Sequence, residues 1–324
     1  ILLVTAAVRA GAHPLSQIAI NADVKSNRVD VAMDIKLEDL VWFQDLKPAD
    51  DGRVTASALQ QASGKHPAFL LKYFTILDHQ GGAVPGRFVR LDTARIPPAG
   101  ATETELKTID IDYRFEFALD QPPPFLTFRQ HFGGDDATVP ASMELAIRHA
   151  GQRLGTPLML GAEVPFSQTF DWQDGPPIPP KSLAEIREQK AADRQRRLGM
   201  TDQNRVYSWL RIQPSFTRHE MVIPFWKLAR WVAHERSDPD FISPPEQDEL
   251  QAKLTDFFRD HSPVTANGHR CLPQIRPLVF HDPGTIDVGD PAEVRRRHIS
   301  QTRVGIIVDY AGGPVEHLLL KWDA

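Results

Sequence analysis

The residue with the most specific chemistry is His13, provided that it begins the mature chain. An N-terminal histidine offers an α-amine and an imidazole to one metal ion, and a further histidine would complete a nitrogen set that suits copper or nickel. His66, His79 and His131 are candidates for that further ligand, although spacing along the chain selects none of them. The alternative is an ordinary histidine at a frayed terminus.

A second candidate metal site lies in a loop rich in glycine and proline. Asp282, Asp287 and Asp290 lie in this loop, and carboxylate oxygens on a flexible loop are ligands that Ca²⁺ accepts. The spacing fits no EF-hand, and aspartate is also common in turns for backbone reasons. Calcium is therefore the weaker of the two metal hypotheses.

Asp110 and Asp112 form the clearest carboxylate pair. They alternate with Ile109, Ile111 and Tyr113, so a β-strand would place both on one face. A carboxylate pair can perform acid–base work. The regular alternation favours a solvated face instead.

Sequence signatures of the common enzyme classes are absent from the chain. It contains no GxSxG, no Walker A loop, no GxGxxG, no HExxH and no CxxC. We therefore expect no catalytic residues and no cofactor. A hydrolase without a recognisable motif stays open, because an active site needs only geometry.

The first residues indicate export. Residues 1–12 read as the remnant of a signal peptide, with an apolar run followed by the small-x-small pattern Ala10-Gly11-Ala12. Cleavage after Ala12 would leave His13 first, and the protein would be periplasmic or secreted. The alternative is a buried first strand. The pattern predicts that this chain is part of a longer one, cropped at both ends.

Composition and net charge limit the classes of partner that the sequence predicts. The net charge of −5 gives no general attraction to nucleic acid, and no run is long enough for a transmembrane helix, although the full protein could be tethered. The single cysteine, Cys271, excludes an internal disulfide. A protein or another envelope component is the expected partner.

The elements that must position these residues occur twice, roughly 190 residues apart. The first set begins with predicted strands at Ser16–Val24 and Arg28–Ile35, and the second with Tyr207–Ile212 and Arg218–Ile223. In each set a helix, a hairpin and a long alternating strand follow. The hairpin of the first set is predicted from Phe74–Asp78 and Arg87–Leu91, joined around Gly81-Gly82. Matching landmarks include Arg28 with Arg218 and Leu40 with Leu228.

This order predicts a β-rich α+β fold of two tandem repeats, with a sandwich-like arrangement as one option. The predicted organisation is a signal-peptide remnant (1–12), a first repeat domain (13–173), a proline-rich spacer with a linker helix (174–203) and a second repeat domain (204–324). The hairpin of the second repeat is marked by Asn267-Gly268, and its helix by the capping box Ser243–Glu246.

Two resemblances support export. Ala12-His13-Pro14-Leu15 is similar to the exported N-terminal region of bacterial hydrogenase and urease accessory metal permeases, whose further membrane spans are missing here. Asp256–Gly268 and Leu318–Asp323 resemble segments of uncharacterised exported bacterial proteins. These resemblances imply export and fold, and they add no catalytic residue.

We therefore expect an exported, non-enzymatic binding or structural protein of the cell envelope. The first alternative is a periplasmic copper- or nickel-binding module that uses His13. The second is the hydrolase without a motif.

Overall fold

A computed structural model describes residues 16–132, 141–162, 164–172, 204–284 and 293–320. The chain divides into two compact units. One comprises Ile1–Thr75, Val84–Pro122 and Arg129–Val164, and the other comprises Ile76–Ala83, Pro123–Phe128 and Pro165–Ala324. The predicted signal-peptide remnant, the spacer and the linker helix lie outside the described residues.

The fold is β-rich and of the α+β class, as predicted. The helices of the described residues are α1 (Leu37–Phe43), α2 (Ala56–Tyr73), α3 (Glu103–Thr108), α4 (Phe225–Leu228) and α5 (Pro244–His261). The strands are β1 (Ser16–Val24), β2 (Arg28–Lys36), β3 (Phe74–Leu77), β4 (Gly86–Asp92), β5 (Asp110–Ala118), β6 (Phe125–Gln130), β7 (Ala141–His149), β8 (Gln152–Leu160), β9 (Phe166–Thr169), β10 (Tyr207–Ile212), β11 (Phe216–Pro224), β12 (Phe241–Ile242), β13 (Val264–Ala266), β14 (His269–Cys271), β15 (Pro273–Ile275), β16 (Val279–His281), β17 (Arg297–His298), β18 (Arg303–Ala311) and β19 (Leu318–Leu320). None of the helices in the described ranges has the length and apolar character needed to cross a membrane.

The first unit is built on a six-stranded sheet in the order β4-β5-β2-β1-β7-β8. Neighbours are antiparallel except β1 and β7, which run parallel. Every second residue of β1 and β5 is buried, so the sheet has one apolar and one polar face. The Tyr113 hydroxyl donates a hydrogen bond to the Ser63 carbonyl at 3.2 Å, which ties the apolar face to α2.

The second unit has a sheet in the order β10-β11-β18-β15, and β16 also pairs with β18. Its core includes Met221, Ile223, Leu254, Phe258 and Ile306, all fully buried. Two short sheets, β12-β17 and β14-β13-β19, accompany the main one. A further short sheet of the chain has the order β3-β6-β9.

Two local predictions are confirmed. Asn267 and Gly268 both have positive φ, 48° and 82°, and they connect the antiparallel strands β13 and β14. Two such residues in succession form the turn that suits the twist of a hairpin. The Ser243–Glu246 capping box begins α5.

The hairpin expected in the first repeat is wrong. The segments Phe74–Asp78 and Arg87–Leu91 were expected to pair around Gly81-Gly82. Instead β3 joins the sheet of β6 and β9, and β4 pairs with β5. Asp78 Oδ1 accepts hydrogen bonds from the Gln80 and Gly82 N–H groups, both at 2.8 Å, and this tight turn carries only an isolated bridge.

Candidate functional site

The polar face of the six-stranded sheet carries a hollow of about 570 Å³ in the first unit. Ala19 on β1 lies between the longer charged side chains of the flanking strands β2 and β7. The lining includes Asp34, Lys36, Arg95 and Glu144. Alternation produces this face, because each residue between two buried ones points to the solvent side.

A row of acidic residues crosses the strands and ends at this hollow, which Asp34 and Glu144 line. Asp92 lies directly opposite Asp112, and Asp112 lies opposite Asp34. Ala19 then separates Asp34 from Glu144. Like charges directly opposite each other destabilise a sheet, so the fold alone does not account for this row.

Two members of the row lack a counter-charge in direct contact. Asp112 forms an ion pair with Arg114 Nε at 2.7 Å, and the nearby Asp110 forms one with Lys36 at 2.7 Å. Neither Asp34 nor Glu144 makes a hydrogen bond or an ion pair through its side chain with any residue in the described ranges. The register places these two carboxylates about 10 Å apart at their Cα atoms, across one strand.

The electrostatics of the hollow favour an added cation. Burial, followed by the charges of Asp112 and Asp110, raises the pKa of Asp34, and Arg114 and Arg95 offset only part of this. A raised carboxylate pKa means that the charged form is disfavoured where it stands. A positive ligand group beside Asp34 would relieve this repulsion.

A second hollow of about 480 Å³ on the same face is already neutralised. Its Asp30 carboxylate pairs with Lys25 and Arg28, and its Glu116 pairs with Arg87 at 2.9 Å. Because these acids have partners within the chain, this hollow would attract a cation less strongly than the first hollow.

Of the metal-site residues predicted from the sequence, the structure describes only Asp282. Asp282 forms ion pairs with Arg295 at 2.8 Å and Arg297 at 2.6 Å. His13, Asp287 and Asp290 lie outside the described residues. Within the described ranges no three His, Cys, Asp or Glu side chains are grouped as metal ligands. The copper, nickel and calcium hypotheses therefore stay predictions.

The structure shows a serine–histidine contact in the second unit that the sequence pattern did not predict. Ser208 Oγ lies 2.7 Å from His219 Nε2, and burial lowers the pKa of His219. A nucleophilic serine needs a base that a third group orients. The buried Nδ1 of His219 has no hydrogen-bond partner in the part of the chain that the structure describes, so that third group is missing there.

Comparison with known proteins assigns no function. No family model matches the chain, and no curated protein is significantly similar to it. The candidate site therefore rests on the geometry alone. Sequence reasoning placed Asp110 and Asp112 on one strand face, as the structure does, and it missed Asp34 and Glu144 because cross-strand register was needed to bring them into the row.

Proposed function

We propose that this protein is an exported, non-enzymatic binding protein of the cell envelope, and that the hollow around Asp34 and Glu144 binds a cationic segment of a partner protein. Residues 1–12 support export, and the lack of a third group at His219 among the described residues argues against serine catalysis at that site. The observation that carries the proposal is a pair of carboxylates in a hollow with no ion pair in the described chain.

The size and shape of the hollow suit a side chain better than a bare ion. An open cleft of about 570 Å³ accommodates several side chains of an extended segment. Lys36 and Arg95 border the same hollow, which would restrict the cation to the Asp34–Glu144 side. Charges at such a surface contribute mainly to partner selection and association rate.

Titration calorimetry of the full chain with an octalysine peptide tests this function. We expect saturable binding that the double substitution Asp34→Asn/Glu144→Gln weakens about tenfold, because it removes both charges without changing side-chain size. The control is Asp248→Asn/Glu249→Gln, which makes the same change at two exposed residues of α5. Equal weakening by both double variants, or no saturable binding, would contradict the proposal.

We further infer that the two units are tandem repeats of one ancestral domain. The strand order β5-β2-β1 in one unit is matched by β18-β11-β10 in the other, with all neighbours antiparallel. The central strands β2 and β11 both have nine residues and both continue directly into a helix. These shared features support a duplication.

Backbone hydrogen bonds at the strand–helix junction support it as well. Leu37 N–H donates to Ile109 C=O at 3.0 Å, and Phe225 N–H donates to Thr302 C=O at 2.9 Å. Leu37 and Phe225 begin α1 and α4, and Ile109 and Thr302 immediately precede β5 and β18. Such a bond depends on tertiary structure and not on local propensity.

The long helices agree in length and in most of their buried positions. α2 and α5 each have 18 residues, and one constant offset, the one that relates Leu40 to Leu228, also relates four of the six buried positions of α2 to the four of α5. The matched buried pairs are Leu59 and Gln247, Ala62 and Leu250, His66 and Leu254, and Leu70 and Phe258.

Three-ring aromatic ladders recur under the same offset. In the first unit the ring centroids are separated by 4.8 and 4.7 Å, and in the second by 6.1 and 4.7 Å. The ladders are Phe43–Phe69–Tyr73 and Trp231–Phe257–His261.

The arginine landmark needs a shift of two residues. Arg28 begins β2 and pairs with Ala118, whereas Arg218 is the third residue of β11 and pairs with Asp309. Matching the strand ends equates Arg28 with Phe216. Both arginines lie on the second strand of a hairpin. The strand order proposed for the repeat is therefore retained, and only the residue-to-residue match of β2 with β11 shifts by two positions.

A further inference from the structure

The outer edge of β10 presents backbone groups that pair with no other strand among the described residues. β10 ends its sheet in the part of the chain that the structure describes. The hairpin bond from Gln213 N–H to Phe216 C=O, at 2.9 Å, fixes which residues bond across to β11. By that alternation Ser208, Leu210 and Ile212 direct their N–H and C=O groups away from β11.

The matching edge in the first unit is covered. β1 corresponds to β10 under the repeat, and it pairs along its whole length with β7 in the parallel direction, from Ser16 opposite Ala141 to Val24 opposite His149. β7 buries Met143, Leu145 and Ile147 on the apolar side of the sheet. A covered edge thus has a parallel strand with apolar residues at alternate positions.

Side-chain exposure indicates that the edge of β10 lacks the cover that β7 gives to β1. Leu210 and Ile212 are 39% and 52% exposed, whereas their counterparts Ala22 and Val24 are fully buried. Soluble proteins normally protect an edge strand with charge, proline or a bulge, and exposed aliphatic residues on an open edge mark a pairing site.

We propose that the edge of β10 binds an extended segment of a partner protein as an added parallel strand, with apolar side chains at every second position. Strand addition of this kind obtains affinity from main-chain bonds and specificity from alternate side chains. A second copy would pair β10 with β10 antiparallel about a twofold axis, unlike the parallel strand on β1. The inference uses the repeat and not the cationic hollow, so the two can fail separately.

Fluorescence anisotropy of the full chain with a labelled peptide tests this edge. The probe has the sequence of β7, Ala141–His149, since that strand occupies the matching edge. We expect saturable binding. Leu210→Lys should weaken it at least tenfold, because a lysine would meet the apolar face of the added strand. Leu210→Pro should do the same by removing one outward N–H that β11 does not use.

The matched control is Leu272→Lys, which makes the same change at a highly exposed leucine between β14 and β15. It should leave peptide binding unchanged, and circular dichroism would establish that each variant is folded. The parallel direction is tested in a Cys271→Ser background with Ile212→Cys, which should form a disulfide with a peptide cysteine at the C-terminal end and not at the N-terminal end.

Four results would overturn the proposal. The first is that the peptide does not bind, and the second is that Leu210→Lys and Leu210→Pro leave binding intact. The third is cross-linking only at the N-terminal end of the peptide. The fourth is a wild-type dimer, seen by sedimentation, that Leu210→Lys dissociates. The last of these would assign the edge to a second copy.

Discussion

His66 and Asp39 are buried titratable residues of the first unit whose pKa values move in opposite directions. Burial lowers the pKa of His66 from 6.5 to about 4, and burial raises the pKa of Asp39 from 3.8 to about 7. His66 Nε2 and Asp39 Oδ2 have no hydrogen-bond partner within the described ranges. Both side chains are therefore favoured in their neutral forms.

The two residues make opposite contributions to the pH dependence of stability. Between pH 4 and 6.5 the unfolded chain binds a proton at His66 more readily than the folded chain does. The contribution of neutral His66 to the free energy of unfolding is therefore lost as the pH falls. Between pH 3.8 and about 7 the folded chain holds the Asp39 proton more tightly, so this contribution is lost as the pH rises. In the wild type the two slopes largely cancel.

Single substitutions should expose each slope. In His66→Leu, which copies the residue at the matching position of α5, the free energy of unfolding should fall by roughly 3 kcal/mol from pH 4 to 7 relative to the wild type's own change. In Asp39→Asn it should rise by roughly 3 kcal/mol from pH 4 to 6.5 on the same basis. Urea denaturation across this pH range measures both. Parallel curves for the wild type and both variants would contradict these assignments.

Single residues could be predicted from the sequence only as far as local pattern reaches. Alternation sufficed to place Asp110 and Asp112 on one solvated face. It could not place Asp34 opposite Asp112, because a one-residue slip of β2 against β5 would move Asp34 to the other face. His66 likewise reads as an ordinary helix residue until its aromatic neighbours are known.

At the level of elements, the start of α5 depends on one carboxylate. Glu246 accepts hydrogen bonds from the N–H groups of Ser237 and Ser243, both at 2.7 Å, and from both of their hydroxyl groups. These bonds, led by that of the Ser237 N–H, lower the pKa of Glu246 to about 2. The capping box thus also holds the loop that precedes the helix.

We expect Glu246→Ala to lower the free energy of unfolding by about 1–2 kcal/mol at pH 7, because two backbone donors lose their acceptor. The difference from the wild type should disappear as the pH falls from 4.5 towards 2, since protonation removes the same charge. Urea denaturation monitored by circular dichroism measures both. Glu249→Ala, an exposed residue of the same helix, is the control and should change stability by less than about 0.5 kcal/mol. A Glu246→Ala cost no larger than that of the control would refute this role.

Elements with local signals could be predicted, and elements whose pairing is distant could not. The capping box of α5 and the Asn267-Gly268 turn are encoded within a few residues. β3 is different, because its partner β6 follows it by some fifty residues, and nothing in Phe74–Leu77 distinguishes β6 from the nearby β4.

At the level of the whole molecule, the repeat proposal predicts equal costs at matched core positions. Leu40 and Leu228 lie in α1 and α4 under the common offset, and both are fully buried. Leu40→Ala and Leu228→Ala should each lower the free energy of unfolding of their own unit by about 2–5 kcal/mol, because each leaves a cavity. Hydrogen exchange resolves the two units.

Leu272→Ala serves as the control, because Leu272 is mostly exposed and its substitution should have little effect. A cost below about 1 kcal/mol at only one of the matched leucines would contradict equivalent environments. The pairing of strands that follow one another directly, such as β1 and β2, was predictable from local alternation. The parallel placement of β7 beside β1 was not, because no local signal reports strand direction.

That parallel strand has a consequence for how the first unit acquires its structure. The His149 and Val24 contact joins residues 125 positions apart, so most of the unit must be synthesised before β1 gains its second neighbour. Closing so long a loop is entropically costly and slows folding. A chain that emerges from its N-terminus therefore keeps β1 accessible for a long interval, and β1 requires protection from aggregation until β7 arrives.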